Sequence, residues 1–381
     1  PIVMPKDITN GKINDNNISR ISKNDVAKLF KHKLVSGNII YPRRGDISKC
    51  ALITSKEDGW VCGTGCIKVD INQQIANSTY VMYVLCQSET VNWIESNAVG
   101  TTMLNLNTSI LSDLPIKLPS LNTQKKLANI VSSFDKKIDL NRRINDNLEQ
   151  QAQTLFKSWL VDFDPFKNGK FVESEMGMIP EGWKVISLQE YCQEITRGNI
   201  PTYVEKSNRP ILNQKVNKGV SLEKQYYKYN SENVEVSISK MAHYGDVLLN
   251  SLGQGTLGRV HLYKEKLGNV IIDQFITILR TNLFVKSAYL SYTLNRPEYQ
   301  TIIEGNVTGS TGMWVLTINN VRNIKIIVPK ESCFLELAPI INSIYQAISN
   351  NTAEMEQLCT LRDCILPHLM SGELKINDLN C

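Results

Sequence analysis

The chain contains nearly the same segment twice, 210 residues apart, and this duplication constrains its fold more than any other feature. Residues 97–119 and 307–329 align at that shift. The matching pairs are Met103 and Met313, Leu106 and Leu316, Ile116 and Ile326, and Pro119 and Pro329. A repeat of about 200 residues is far longer than the ~20–50 residues of a solenoid unit. The sequence therefore predicts two related globular domains with pseudo-two-fold symmetry, suited to binding two similar targets at a fixed separation.

Two shorter matches extend the repeat towards the start of each unit. At a shift of 209, residues 1–3 and Lys6 meet residues 210–212 and Lys215. At a shift of 200, Gly45-Asp46-Ile47 meets Gly245-Asp246-Val247. In the second unit, about 30 residues from Pro180 to Arg209 precede the match, and the first unit has no counterpart to them. We therefore expect the first domain to be shortened at its N-terminus relative to the second.

Each repeat leads into a long segment in which apolar residues recur at steps of three and four, as in a coiled-coil seam. The first series includes Leu127, Ile130, Phe134, Ile138, Ile144, Leu148, Leu155 and Trp159, and the second includes Leu337, Ile340, Ile344, Ile348, Leu358, Leu361, Ile365 and Leu369. About 38 helical residues span roughly 57 Å, which exceeds the interior of a small domain. The pattern predicts two long helices packed antiparallel as a spacer between the domains.

One polar residue interrupts each seam near its midpoint. These residues are Asn141 and Asn351, which are again 210 residues apart. Equivalent residues of an antiparallel pair meet only near the symmetry axis, so we expect the two amides to hydrogen-bond across the seam. A buried polar pair costs stability but penalises every register that leaves an amide unpaired. The alternative is that both asparagines face solvent.

The globular units combine short β-type runs with short helical runs, which indicates an α+β fold. Strand-like runs begin at Val247, Arg259 and Asn269, and helical runs begin at Tyr80 and Tyr289. Proline should end the first long helix at Pro165 and kink or end the second at Pro367. The expected order is a first domain at residues 1–119, a central helix at 120–165, a linker at 166–179, a second domain at 180–329, a C-terminal helix at 330–372 and a tail at 373–381.

Positive charge is concentrated in the globular units. The net charge is +3 over residues 1–118 and +5 over residues 180–329, whereas residues 330–381 carry −4. This distribution favours a polyanion partner for the globular units. Basic or amide side chains in or beside predicted loops are candidate DNA contacts, although a simple turn is the alternative. They are Arg43, Arg44 and Lys49 in the first unit, and Arg209, Lys215, Lys218, Gln254 and Arg259 in the second.

No motif indicates catalysis. Residues 253–258 match G-x-G-x-x-G, but a strand-like run follows them, so a hairpin loop is favoured over a dinucleotide site. Cys62 and Cys66 are the only closely spaced cysteines, and no further metal ligands lie nearby. We expect ordinary reduced cysteines, no metal, no cofactor and a cytosolic protein. No apolar stretch reaches the ~18 residues expected of a membrane span.

Several segments resemble the specificity subunit of type I restriction-modification systems. Residues 118–145 and 152–166 are similar to its central region, residues 177–183 to the start of its second target-recognition domain, and residues 361–373 to its C-terminal region. The resemblance covers essentially the whole chain. It implies a non-catalytic subunit with two target-recognition domains, each of which reads one half of a split double-stranded DNA site.

The resemblance also implies that the two long helices set the spacing of the half-sites and dock two methyltransferase subunits. Restriction subunits would join that core. Leu148 and Trp159 are candidate docking residues on the first helix, with burial in the helix–helix core as the alternative. A protein scaffold that does not bind DNA, built from two globular domains on a helical spacer, is the competing interpretation of the whole chain.

Overall fold

The computed structural model describes residues 1–9, 11–100, 104–265, 268–309, 314–371 and 373. Met103, Met313, Gly372 and the expected tail from Leu374 onwards lie outside the described residues. The chain divides into two compact units. The first comprises Pro1–Asp139 with Met355–Cys381, and the second comprises Leu140–Glu354. Both divisions fall inside the two long helices, so each long helix contributes to both units.

The first unit is built from short strands and short helices. Its strands are β1 (Ile2–Val3), β2 (Ile8–Thr9), β3 (Lys12–Ile13), β4 (Ile39–Pro42), β5 (Ala51–Leu52), β6 (Val61–Cys62) and β7 (Cys66–Val69). Its helices are α1 (Lys23–Lys28), α2 (Ser78–Leu85), α3 (Ser88–Asn97), α4 (Thr108–Asp113) and the first half of α5 (Leu121–Leu160). Strands β5, β4 and β7 form an antiparallel sheet, β2 pairs with β3, and β1 pairs with β6 in parallel.

The second unit has the same kind of architecture with more strands. These are β8 (Phe171–Ser174), β9 (Gly177–Pro180), β10 (Lys184–Ser187), β11 (Glu194–Arg197), β12 (Tyr203–Val204), β13 (Pro210–Leu212), β14 (Lys228–Asn230), β15 (Val247–Asn250), β16 (Val260–Leu262), β17 (Ile271–Ile272), β18 (Ile276–Arg280) and β19 (Lys325–Val328). Its helices are α6 (Leu188–Tyr191), α7 (Phe284–Leu294), α8 (Pro297–Gly305), α9 (Ile318–Asn323) and the first half of α10 (Glu331–Ser371). Its two four-stranded sheets have the orders β11-β18-β15-β16 and β12-β14-β13-β17.

Strand register aligns the two repeats residue by residue. Val3 pairs in parallel with Cys62, and Leu212 pairs in the same way with Ile272. The predicted shift of 209 for residues 1–3 is therefore confirmed by the backbone pairing. The described helices follow the same order, with α2, α3 and α4 corresponding to α7, α8 and α9. The α+β fold and the internal repeat predicted from the sequence are both confirmed.

The predicted match of Gly45-Asp46-Ile47 to Gly245-Asp246-Val247 is wrong. Ile39 of β4 lies opposite Leu52 and Val69, and Val247 of β15 lies opposite Leu262 and Leu279. The counterpart of Gly245-Asp246-Val247 is thus Gly37-Asn38-Ile39, at a shift of 208. Each glycine has a positive φ in the turn that precedes its strand. Glycine followed by Asp or Asn is common in turns, so the Gly45-Asp46 match arose from turn chemistry and not from position in the repeat.

The segment predicted to be a linker, residues 166–179, is largely ordered. Strands β8 and β9 form an antiparallel hairpin, with Phe171 opposite Pro180 and Ser174 opposite Gly177. Aromatic side chains fasten the segment to the second unit. The rings of Phe163 and Phe166 lie 5.2 and 5.3 Å from Trp183, in edge-on arrangements. Such contacts offset the loss of chain entropy that a free linker would retain.

The long helices take part in both hydrophobic cores. In the first unit, Leu127 and Val131 of α5 and Leu369 of α10 are buried in one cluster. In the second unit, Phe156 of α5 and Phe334 of α10 are buried in another. Pro367 does not end α10, which continues to Ser371. The neighbouring Leu366, Leu369 and Met370 pack on the core of the first unit, and this burial offsets the lost backbone hydrogen bond. No described helix has the length and hydropathy needed to cross a membrane.

Candidate nucleic-acid interface

Four of the five DNA contacts predicted in the second unit lie on two loops that touch each other. Lys215 and Lys218 lie on the loop that follows β13, and Gln254 and Arg259 lie on the loop between β15 and β16. Strands β15 and β16 pair as an antiparallel hairpin. The glycine-rich motif at residues 253–258 is the loop of this hairpin, as predicted from the sequence. The order of elements around it is not that of a dinucleotide-binding site.

Buried amides hold these two loops together. Asn217 Nδ2 donates to Asn250 Oδ1 at 3.0 Å, and Asn250 Nδ2 donates to the carbonyls of Gln214 and Thr256 at 3.0 and 3.1 Å. Asn217 and Asn250 are both fully buried. A buried amide is stable only when its donors and acceptors are paired, so the network restricts the two loops to one arrangement. Sequence reasoning missed both asparagines because the hydrogen bonds that join the two loops link residues 33 and 36 positions apart.

The Arg259 side chain also connects the two loops, through hydrogen bonds to a backbone carbonyl of each. Its Nη1 donates to the carbonyl of Asn217 at 3.3 Å, and its Nη2 donates to the carbonyl of Gly255 at 2.9 Å. The side chain is half-buried, and in the part of the chain that the structure describes its guanidinium has no carboxylate partner. Arg259 therefore positions the loop and leaves its positive charge unneutralised.

The other predicted cations of the second unit are partly occupied by intramolecular contacts. Lys218 Nζ lies 3.4 Å from Glu223 Oε2 and 4.8 Å from the centre of the Tyr226 ring. Arg209 is on neither of the two loops, and its Nη1 donates to the carbonyl of Val234 at 2.5 Å. Lys215 and Gln254 are exposed. The geometry thus groups Lys215, Gln254 and Arg259, and it separates Arg209 from them.

The first unit carries the equivalent loop between β4 and β5. Leu106 N donates to the carbonyl of Arg43 at 2.8 Å, as Leu316 N donates to the carbonyl of Ser251 at 2.9 Å. The predicted residues Arg43, Arg44 and Lys49 are therefore on the counterpart of the loop that carries Gln254 and Arg259. All three are exposed.

The three cations of the first loop differ in whether another side chain neutralises them. Lys49 Nζ lies 2.7 Å from Asp46 Oδ2, and this ammonium holds the pKa of the Asp46 carboxyl below its usual range. Among the described residues, the guanidinium groups of Arg43 and Arg44 have no hydrogen-bond or ion-pair partner. Arg43 and Arg44 are thus the stronger candidates for phosphate contact.

Two further exposed residues, one in each unit, are added to the candidate interface. Lys6 is exposed in the 3-10 helical turn Pro5–Asp7 after β1, at the position equivalent to Lys215 in the second unit. The alignment at a shift of 209 already paired these two lysines, so the signal for Lys6 was present in the sequence. Trp314 is 52% exposed beside the bridge between Thr308 and Val315. An exposed indole is a platform for stacking or apolar contact, and no periodicity in the sequence marked it.

In the helix seam, the predicted hydrogen bond between Asn141 and Asn351 is replaced by two other contacts. Asn141 is 1% exposed and its Nδ2 donates to Glu354 Oε2 at 2.7 Å. Asn351 Nδ2 donates to Asn145 Oδ1 at 2.9 Å, and Asn145 Nδ2 lies 3.3 Å from Thr352 Oγ1. Both asparagines do belong to a polar cluster between α5 and α10. The pairing is offset by one helical turn because Asn145 and Glu354 supply the nearest partners, which a symmetric alignment could not reveal.

Replacing Asn145 by Leu should lower the free energy of unfolding by roughly 1–2 kcal/mol, because the Asn351 amide would lose its acceptor. Replacing Asn145 and Asn351 together by Leu should recover most of that loss, since neither amide is then left unpaired. Urea denaturation of the two single variants and the double variant measures the coupling. Strictly additive losses would show that the hydrogen bond between the two side chains has no energetic weight.

The two predicted docking residues are mainly part of the fold. Leu148 and Trp159 are both half-buried and pack against the core of the second unit. The Trp159 ring lies edge-on to Phe166, with their centres 6.2 Å apart. Exposed apolar side chains on the same helix are Leu140 and Ile144, which are 52% and 40% exposed. They lie four residues apart, so they share one helical face.

The cysteines and acidic groups do not form a metal site within the described residues. Cys62 and Cys66, the pair that is close in sequence, are both buried and free. Burial raises the pKa of Cys62 to about 11 and that of Cys66 to about 12. Such thiols remain protonated and unreactive at neutral pH.

The chain thus has a duplicated architecture, in which two related α+β units, each with a basic loop surface, are combined with a pair of long helices. The fold matches the crystal structure of a type I restriction-modification S subunit from M. genitalium. The TM-score is 0.51 at 17% sequence identity, over 89% of this chain and 84% of that one. Residues 1–150 match the family described as the type I restriction modification DNA specificity domain.

Curated relatives carry the same description over nearly the whole chain. The MjaIX specificity subunit of a type I restriction enzyme from Methanocaldococcus jannaschii is 26% identical, over 100% of this chain and 88% of the relative. The HindI specificity subunit from Haemophilus influenzae is 22% identical, over 97% and 93%. Over nearly its whole length the chain is similar to specificity subunits of type I restriction-modification systems, which confirms the resemblance found in its sequence. This similarity agrees with the expected non-catalytic role and favours DNA recognition over a scaffold that does not bind DNA.

Proposed function

We propose that this chain reads a bipartite DNA site, with one globular unit on each half-site and the long helices fixing the separation. The observation that carries the proposal is the equivalence of the two basic loops. The two loops, residues 43–50 and 251–259, follow the equivalent strands β4 and β15. The carbonyl of the first residue in each loop accepts a hydrogen bond from an equivalent leucine, Leu106 in the first unit and Leu316 in the second. Two copies of one binding surface in one chain suit a target with two parts.

The chemistry of the surface divides into affinity and specificity. Arg43, Arg44, Lys6 and Lys215 can neutralise phosphates, a contribution that depends on salt and not on base sequence. Gln254 is exposed between Gly253 and Gly255, both of which have positive φ. A glutamine side chain can donate to and accept from the edge of adenine in the major groove, and flanking glycines permit close approach. Gln254 is therefore the proposed base-reading residue of the second unit.

Arg259→Ala should weaken specific DNA binding by the assembled complex about tenfold, because it removes both loop contacts and an unneutralised cation. Lys215→Ala should instead weaken binding to all sequences and lower the slope of log affinity against log salt by about one. Fluorescence anisotropy across a salt series, on cognate and scrambled DNA, distinguishes the two effects. Lys184→Ala, which changes an exposed lysine on β10, is the matched control. Unchanged affinity of Arg259→Ala at every salt concentration would remove this residue from the interface.

We further propose that the long helices dock two methyltransferase subunits, with restriction subunits joining that core. The exposed pair Leu140 and Ile144 supports this assignment, because large apolar side chains at this spacing on a helix suit burial against a partner. The adjoining face of α5 is uncharged and is lined by Asn147, Gln150, Gln151, Thr154, Leu155 and Ser158. Protein interfaces are depleted of charge at their centre, whereas phosphate contacts require it.

A further inference from the structure

Two cysteines that are distant in sequence meet in the first unit. The Sγ atoms of Cys50 and Cys86 are 3.7 Å apart, within sulfur hydrogen-bond distance. Cys50 is buried at the end of the loop that carries Arg43, Arg44 and Lys49, and Cys86 is exposed at the C-terminus of α2. A disulfide has an S–S length of about 2.05 Å, so closing the gap requires a movement of less than ~2 Å.

The positions of Cys50 and Cys86 are in contact in both copies of the repeat. Because Ile40 pairs with Ala51, and Leu248 with His261, the second-unit counterpart of Cys50 is Val260. Cys86 and Asn295 are the equivalent C-terminal caps of α2 and α7. Asn295 Nδ2 donates to the carbonyl of Val260 at 3.2 Å. The two positions are thus in contact in both units, by a hydrogen bond in one and by two thiols in the other.

The surroundings of the pair favour reaction at Cys86. The hydrogen bond from Cys50 holds the pKa of the Cys86 thiol below its usual value, and the Arg362 guanidinium acts in the same direction. A lowered pKa and an exposed residue both favour oxidation of a cysteine by peroxide. Cys62 and Cys66 have neither property, although only three residues separate them in sequence.

We propose that Cys50 and Cys86 form a redox-active dithiol that closes to a disulfide on exposure to hydrogen peroxide. The Cys86 thiolate attacks one peroxide oxygen, the O–O bond breaks, and the leaving oxygen takes up a proton as water to give a sulfenic acid at Cys86. The Cys50 sulfur then attacks the Cys86 sulfur as its proton passes to the departing hydroxyl group. One S–S bond forms, one S–O bond breaks and a second water leaves. Two thiols are oxidised and one hydroperoxide is reduced, so the step is balanced.

The disulfide would join residues 36 positions apart and fasten the end of the first basic loop to α2. A crosslink that closes a loop of this length restrains the unfolded chain and raises the melting temperature by several degrees. This modification site does not depend on the proposed DNA recognition. It adds a covalent restraint to one unit only, because the equivalent junction of the second unit has no cysteines.

The test is titration of the reduced 381-residue chain with hydrogen peroxide, followed by alkylation of free thiols, proteolysis and mass spectrometry. The expected product is a peptide pair crosslinked through Cys50 and Cys86, formed at low peroxide excess and reversed by dithiothreitol. Cys50→Ser and Cys86→Ser should each prevent it, and Cys86→Ser should also protect Cys50 from oxidation. Cys62 and Cys66 should remain reduced and become alkylated on unfolding.

Two results would overturn the proposal. One is stable overoxidation of Cys86 while Cys50 remains a free thiol, which would show that the two sulfurs cannot meet. The other is a crosslink between Cys62 and Cys66 formed at the same peroxide concentration, which would show that proximity in sequence governs the reaction. Cys50 is buried, so Cys50→Ser can destabilise the fold. Cys86 is exposed, so the Cys86→Ser variant provides the decisive comparison.

Discussion

Inserting one base pair between the two half-sites of the recognised DNA should abolish methylation by the complex. Each added base pair moves one half-site by about 3.4 Å along the duplex and rotates it by roughly a tenth of a turn. Helices whose ends are buried in hydrophobic cores cannot lengthen to follow. In this chain Leu127 and Phe156, near the two ends of α5, are each buried in such a core. Removal of one base pair should have the same effect.

Methylation of synthetic duplexes with spacers one base pair shorter, equal and one base pair longer is the appropriate measurement. The native motif must first be read from the methylome of cells that express the intact operon. Duplexes with either half-site scrambled serve as controls, and both should be inactive because each unit reads its own half. Equal methylation at all three spacer lengths would contradict a rigid separation, even if both half-sites proved necessary.

Placing charge on the exposed apolar face of α5 should prevent assembly with the methyltransferase subunit. Leu140→Glu combined with Ile144→Glu would bury two carboxylates without partners in the proposed interface, at a cost of several kcal/mol. The two side chains are 52% and 40% exposed in the chain itself and belong to neither buried core, so the variant should retain a melting temperature close to that of the native protein. Size-exclusion chromatography and pull-down of the methyltransferase subunit measure the expected loss.

Two control variants separate docking from folding. Gln346→Glu adds one carboxylate at an exposed polar position of α10, and it should leave assembly intact. Leu148→Glu or Trp159→Glu adds charge at a half-buried position packed on the second core, and either should lower the melting temperature before it affects assembly. If the double variant binds its partner normally, the docking surface lies elsewhere on the helices.

Much of the fold could be predicted because the sequence contains periodic apolar residues and an internal repeat. Steps of three and four between apolar residues predicted α5 and α10, whose observed bounds are Leu121–Leu160 and Glu331–Ser371. The 209- and 210-residue shifts predicted the duplication that strand register then confirmed at Val3 and Leu212. Motifs in the helices indicated the family. These signals survive without coordinates because they depend on local geometry and on repetition along the chain.

The candidate interface was predicted in part. Loops that carry cations were identified at Arg43, Arg44, Lys215 and Arg259 because turns have recognisable residues. Arg209 was included as a basic residue beside a predicted loop, but it lies on neither of the two contacting loops. The amide network of Asn217 and Asn250 was not anticipated, since any of the many asparagines in the chain could have occupied such a position. Only the folded backbone brings their donors and acceptors within 3.0 Å.

By itself, the sequence determined the duplication, the two long helices, the α+β class and the resemblance to specificity subunits. Tertiary structure alone decided which residues are partners. It paired Asn351 with Asn145 in place of Asn141, and it brought Cys50 to Cys86 while the closely spaced Cys62 and Cys66 share no contact of that kind. The physical reason is that periodicity specifies which face of an element is buried. The partner of each side chain is set by packing of elements that are tens to hundreds of residues apart in the chain.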